Sequence, residues 1–157
     1  MAEPLKPLVI GCDHAAVGLK EEIKALLKGR GIPVRDVGTH GPESVDYSDY
    51  GIEVASLVAS GEADRGILIC GTGLGMSMTA NRFAGVRAAL CTDLFSAAMS
   101  RKHNNANVLV LGGRVTGPGL ALEIVKTWLD TPFEGGRHQN RIDKFNLLGT
   151  QVERKTT

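Results

Sequence analysis

An apolar run, Ile67-Leu68-Ile69, delivers Cys70 to a turn made of Gly71, Thr72, Gly73, Leu74 and Gly75, and a helix-compatible stretch follows. Glycines let backbone amides approach an anion closely, and a helix start adds aligned N–H groups at a positive dipole end. The same setting stabilises a thiolate over a thiol. One short segment therefore offers both a base and a cradle for negative charge. The competing account is a buried structural thiol, the usual state of a free cysteine. The strand-end position before a glycine-rich helix start favours the chemical account. Cys12 and Cys91 lack that setting and are expected in the core.

Other groups able to bind or move protons stand at comparable places. Asp13-His14 follows one apolar run, Thr92-Asp93 another, and Gly112-Gly113-Arg114 a third. Asp13 and His14 could simply cap the next helix, since Asp is a good N-cap. His103 ends a helical stretch in Arg101-Lys102-His103-Asn104-Asn105. There it is either a dipole-favoured terminal residue or a proton carrier. Arg137 and Arg141 are one helical turn apart after Gly135-Gly136. They make either a solvated basic face or, with Arg114, an anion grip. Lys20, Arg82 and Lys144 read as ordinary surface charges.

The glycine turn raises a rival function. Gly71, Gly73 and Gly75 are spaced G-x-G-x-G, not G-x-G-x-x-G, and Met76 stands where a third glycine or alanine is needed for a dinucleotide. No Lys-Ser/Thr pair closes a P-loop. Asp93, at the end of the next strand, sits where a ribose-binding acid would sit. A nucleotide-binding module thus stays open as an alternative, and a non-catalytic domain with a structural Cys70 is a third reading.

Short β-prone runs alternate with helical ones along the chain. Strands are expected at 8–12, 34–37, 66–69, 87–91 and 108–111, apolar enough to be buried on both faces of a parallel sheet. The 34–37 run, with Arg35 and Asp36, is the most polar and suits an edge. Helices are expected at 17–30, with Leu19, Ile23, Leu26 and Leu27 inward, and at 49–60, with Ile52, Leu57 and Val58 inward. Others are expected at 75–83, 93–103, 118–129 and 139–148. Five β–α alternations without a repeat predict a three-layer α/β sandwich around a parallel sheet. Ligands of such sheets bind outside the carboxyl ends of the strands. That is where Asp13, His14, Cys70, Asp93 and Arg114 fall.

The 157 residues suit a single domain, with an α/β core over about 8–131 and a helical segment over 132–157. Net charge is +1, which removes any global argument for nucleic acid or a membrane surface. Aromatic residues are 4%, too sparse for base-stacking platforms. No apolar run is long enough for a membrane span or a signal h-region. Three distant cysteines without C-x-x-C spacing argue for a reduced, cytoplasmic protein lacking a metal or disulfide framework. The tail Glu153–Thr157 is expected to fray.

From about Leu8 to about Arg141 the chain resembles type B ribose-5-phosphate isomerases and relatives acting on allose 6-phosphate and galactose 6-phosphate. The markers, in order, are Gly11-Cys12-Asp13-His14-Ala15, Asp46-Tyr47-Ser48-Asp49-Tyr50, Cys70-Gly71-Thr72-Gly73-Leu74-Gly75 with Ala80-Asn81-Arg82, Ser100–Asn107, Gly113-Arg114-Val115 and Glu134-Gly135-Gly136-Arg137-His138. The resemblance implies a Rossmann-like α/β/α sandwich with a five-stranded parallel sheet. It implies a metal- and cofactor-independent interconversion of ribose 5-phosphate and ribulose 5-phosphate through an enediolate, or of a hexose 6-phosphate pair. Cys70 matches the base and His103 the ring opener. The loop Gly71–Gly75, with Thr72, Gly73 and Leu74 between, matches the enediolate hole. Asp13 and Asn104 match sugar contacts, and His14, Arg114, Arg137 and Arg141 the phosphate set, with Tyr47 a further candidate. A homodimer or dimer of dimers is implied, with the active site shared between subunits and the helical segment over 132–157 packing at a subunit interface. Ser48, Ala16 and Cys12 depart from commoner residues of the family, and none of the three is a proposed catalytic group.

Overall fold

The computed structural model describes residues 6–148; the chain through Leu5 and the tail for which fraying is expected lie outside the described residues. The elements run β1 (Leu8–Cys12), α1 (Val17–Gly29), β2 (Val34–Gly38), α2 (Tyr47–Ala59), β3 (Gly66–Cys70), α3 (Leu74–Ala80), β4 (Ala88–Leu90), α4 (Leu94–Lys102), β5 (Val108–Gly112), α5 (Pro118–Asp130) and α6 (Arg137–Asp143). Strand order is β2-β1-β3-β5-β4, all parallel. The three central strands are buried along their whole length, as their unbroken apolar runs require. The polar 34–37 run is an edge, as its residues predict, and β4 is the other edge.

Side chains alternate across each strand and split the core in two. Leu8, Ile10, Ile67, Ile69, Leu109 and Leu111 face α1 and α5. Val9, Leu68, Cys70, Val108 and Val110 face α2 and α3. Close packing here uses small residues: a Cβ on Gly66 would lie 2.7 Å from Val54. The expected three-layer α/β/α sandwich is the observed one.

Several boundaries differ from expectation for local reasons. In α2 the inward face is Gly51, Val54, Ala55 and Val58, and Ile52, expected inward, is 46% exposed. The helix α3 stops at Ala80 because Asn81 turns its side chain onto β4, accepting from Ala88 N at 2.8 Å and donating to Ala88 O at 2.9 Å. Gly135 (φ +66°) and Gly136 (φ +56°) take conformations open mainly to glycine, so α6 begins at Arg137 rather than at residue 139.

The βα topology assigns the polar groups to two edges of the sheet. Each helix starts at the carboxyl edge of its strand and returns to the amino edge before the next strand. Asp13, Cys70, Asp93 and Arg114 therefore stand at the carboxyl edge. His103 and Asn104 lie between α4 and β5 and stand at the amino edge, where Asn107 O accepts from Gly66 N, the first residue of β3, at 2.8 Å. Gly66 and Cys70 are the two ends of β3, separated by about 13 Å of strand.

Candidate active site

At the carboxyl edge the order of strands reverses between β1 and β3, the place where open α/β sheets bind ligands. Cys70 ends β3 there, buried, and its Sγ accepts a hydrogen bond from Gly73 N at 3.1 Å. The turn closes because Gly73 adopts φ +80°, a conformation an L side chain resists. The other two cysteines differ in kind. Cys12 Sγ donates to Thr39 O and Cys91 Sγ to Ala89 O, both at 3.7 Å. Burial, the largest influence on each, pushes both thiols up to about 11, so they stay protonated. Cys70 Sγ, by contrast, accepts from a backbone N–H at hydrogen-bond distance and donates to no carbonyl among the described residues.

The cradle is walled by backbone. Gly113 N donates to Cys70 O at 2.8 Å and Arg114 N to Gly71 O at 2.9 Å, which ties β5's end to the loop. A Cβ on Gly112 would meet Thr72 O at 2.5 Å. Thr72 Oγ1 accepts from Leu74 N at 3.3 Å. The Arg114 side chain lies over Gly71, and the Tyr47 ring lies so close to Gly75 that a Cβ there would come within 2.4 Å of it. Asp13 N donates to Ile69 O, beside Cys70, and Asp13 Oδ1 accepts from Ala15 N at 3.0 Å. His14 Nδ1 accepts from Val45 N at 3.2 Å, which in the neutral ring assigns the proton to Nε2 and makes that nitrogen a donor. Asp13, His14, Cys70, the loop Gly71–Gly75, Arg114 and Tyr47 are thus gathered in one place.

Lys20, expected on the surface, is fully buried. It follows Ala16 and precedes Ile23 and Leu27 at helical spacing, so the inner face of α1 runs through it. Its Nζ bonds Asp36 Oδ1 at 2.9 Å and Thr39 O at 2.7 Å. Burial alone would raise the Asp36 carboxyl, but hydrogen bonds from Lys24, Lys20 and Gly38 N carry it below its ordinary value. The pair pins the end of β2 and the loop leading toward Val45. Arg82 and Lys144 are exposed, as expected.

At the amino edge His103 stacks on His138, centroids 4.3 Å apart and planes 11° from parallel. His138 is buried and faces Glu134, its Nε2 lying 3.7 Å from Oε2. Burial, then the nearby His103, Arg137 and Arg141, holds its imidazole below the ordinary histidine range. Arg137 and Arg141 lie exposed on α6, a turn apart, as their spacing predicts. Glu134 N donates to Lys102 O at 3.1 Å, joining this segment to the end of α4. Among the described residues, His103, Glu134 and His138 bring their donor atoms within 4.8 Å of one another. A metal must lie in the plane of each imidazole it binds, and two stacked planes share no such point near their nitrogens. As held, the trio does not chelate.

Asp93 has a structural role. Its Oδ1 accepts from Ser96 N and its Oδ2 from Ser96 Oγ, both at 2.7 Å, so it caps α4. The cap accounts for this acid without a ribose.

A profile of the ribose/galactose isomerase family matches residues 8–145. The chain belongs to the ribose/galactose isomerase family. It is a sugar-phosphate isomerase, in keeping with the resemblance read from its markers. It is 52% identical over 144 residues to ribose-5-phosphate isomerase B of Escherichia coli, covering 92% of this chain and 97% of that one. It is 45% identical to a D-erythrulose-4-phosphate isomerase of Pectobacterium atrosepticum, covering 92% and 95%. The solved structure of ribose-5-phosphate isomerase B from Clostridium thermocellum superimposes with a TM-score of 0.88 at 57% identity, covering 89% of this chain and 95% of that one. No helix among the described residues is long and apolar enough to cross a membrane.

Arg87 and Arg101, not singled out as candidate site residues from the sequence, both bond the chain just after His103. Arg101 lies inside the Ser100–Asn107 marker and Arg87 in none; nothing in their spacing tells a structural arginine from a solvated one.

Proposed function

We propose that the enzyme interconverts ribose 5-phosphate and ribulose 5-phosphate through an enediolate, at a site completed by a second copy of the chain. His103 gives a proton to the ring oxygen as the C1–O4 bond breaks, and the O1–H proton is lost to solvent as C1 becomes the aldehyde carbonyl. Cys70 takes the proton from C2, leaving an enediolate whose oxygens meet the N–H groups of the Gly71–Gly75 loop. The proton returns to C1, O1 gains a proton as O2 loses its own, and O2 becomes the carbonyl. The carbon acid is very weak, so preorganised donors are needed; losing one typically costs about 10²–10³ in rate. Asp13 and Asn104 bind sugar hydroxyls, and His14, Arg114, Arg137 and Arg141 bind the phosphate, whose remote binding energy holds the opened sugar.

The observation that carries this reading is the Gly73 N–H aimed at Cys70 Sγ inside a glycine-walled turn. Topology supports the second copy: Cys70 and His103 stand at opposite edges of one sheet, the two ends of β3 alone being about 13 Å apart. A homodimer or dimer of dimers that sets the amino edge of one subunit against the carboxyl edge of another brings them together.

Mixing two inactive variants tests it. Cys70→Ala and His103→Asn, co-refolded at equal concentration, form half mixed dimers, each with one intact site. About a quarter of wild-type turnover of ribose 5-phosphate is expected to return. No recovery from a verified mixed dimer would mean that each subunit supplies its own pair. Comparing ribose 5-phosphate with allose 6-phosphate settles whether the pocket prefers five carbons or six.

A further inference from the structure

Arg101 is a buried cation with no carboxylate partner among the described residues. It points from the last turn of α4 at the chain that follows. Its Nη1 donates to Ala106 O at 2.5 Å and to Asn105 Oδ1 at 3.0 Å. Its guanidinium lies 5.6 Å from the ring centre of Trp128, on which Arg65 also lies at 5.4 Å. Burial, with Arg65 and Arg87 adding repulsion, pulls it down to about 10, still charged near neutral pH. Burying a charge beside two like charges is unfavourable, so its placement needs a reason in what it holds.

Arg87 grips the same chain from the other side. Its Nε donates to Asn104 O at 3.1 Å and Asn105 O at 3.0 Å. Its Nη1 donates to Asn146 Oδ1 at 2.7 Å and Gly85 O at 3.2 Å, and so reaches the chain just beyond α6. Between the two guanidiniums Asn105 adopts φ +44°, and it is the one non-glycine with positive φ among the described residues. Such a conformation persists where its surroundings over-determine it. Here three successive carbonyls and one side-chain oxygen, on residues 104–106, are all held by arginines.

We propose that Arg87 and Arg101 are positioning residues of the ring-opening arm, clamping Asn104–Ala106 so that His103 and Asn104 meet the furanose in fixed geometry. The role rests on the isomerase reading above. Neither arginine touches the sugar. A misplacement of about 1 Å can cost about 10² in rate, and it would fall mainly on ring opening, because the Cys70 loop is built on other elements.

The test separates the two half-reactions. Ribulose 5-phosphate has no furanose to open, so enediolate formation from it bypasses the His103 step and uses the arm only through the Asn104 hydroxyl contact. In deuterium oxide, proton NMR follows deuterium entering C1 of ribulose 5-phosphate, and a coupled assay follows net conversion. Arg101→Met is expected to cut net conversion about 10²-fold while deuterium entry falls far less, so their ratio rises. Arg87→Met should raise the ratio in the same sense, and Arg101→Lys should recover part of the loss. A variant that is merely less folded loses both rates in step. An unchanged ratio in Arg101→Met would overturn the clamp. If that variant does not fold, Asn105→Gly, which tolerates positive φ and loses the Oδ1 acceptor, must raise the ratio or the proposal fails. Wild-type protein that neither converts nor exchanges would overturn the isomerase reading itself.

Discussion

The two edges of the sheet are built by different means. At the carboxyl edge the Cys70 loop is held by backbone: Gly73 N on the sulfur, Gly113 N and Arg114 N on the loop's carbonyls, and a glycine at 112 because Thr72 leaves no room for a Cβ. At the amino edge His103 and Asn104 sit on irregular chain held by side chains, namely Arg87, Arg101, Asn107 and the stacked His138. A group that must stabilise charge within tenths of an ångström gains from a scaffold without rotamers. A group that, on the proposed mechanism, reaches across to a second copy gains from an arm whose anchors can be set one at a time. Backbone changes should therefore injure the first edge most, and side-chain changes the second.

Cys70→Ala gives the largest effect. It removes the proposed base and should lower turnover about 10²–10⁴-fold with little change in the Michaelis constant, because a base acts on the transition state. Near-normal turnover would sink the assignment. Gly112→Ala comes next and probes the backbone wall without touching a functional side chain. Its Cβ would sit 2.5 Å from Thr72 O, so the loop must move, and turnover should fall about 10²–10³-fold. Full activity would show that the wall is softer than its geometry. Lys20→Met should disturb turnover least and stability most. It leaves Thr39 O without its donor and Asp36 with Lys24 and Gly38 N as its remaining partners, and should cost about 1–3 kcal/mol, read from denaturant unfolding. An unchanged midpoint would mean that the pair is neutral.

The sequence reading reached the first edge more fully than the second, and the reason is physical. Strand-end positions of Cys70, Asp13 and Arg114 follow from apolar runs alone, because a central parallel strand is apolar on both faces. Arg137 and Arg141 were placed on one face by spacing. The opposite-edge location of His103 was also implicit in the βα order, since a helix ending before a strand ends at the amino edge. Lys20 and Arg101 were not legible in this way. A charged residue on a helix reads as solvated, and only the tertiary arrangement shows which cation has its partners inside. Ile52 misled for the converse reason: an apolar residue in an amphipathic stretch reads as core, and here it faces outward. Asp93 shows one residue fitting two patterns, with Ser96 deciding between a cap and a ribose contact.

The side chain of Asn81 carries a consequence for the whole molecule. An open parallel sheet ends in strands with unspent N–H and C=O groups, which invite a stranger's chain to extend the ladder. On the short edge strand β4 the first residue, Ala88, has its outward N–H and C=O taken by an amide that offers it one donor and one acceptor, as a sixth strand would. The sheet is thereby stopped by a single side chain. Asn81→Ala should leave the chemistry alone and instead make the purified enzyme prone to ordered self-association on storage, visible as growth in light scattering.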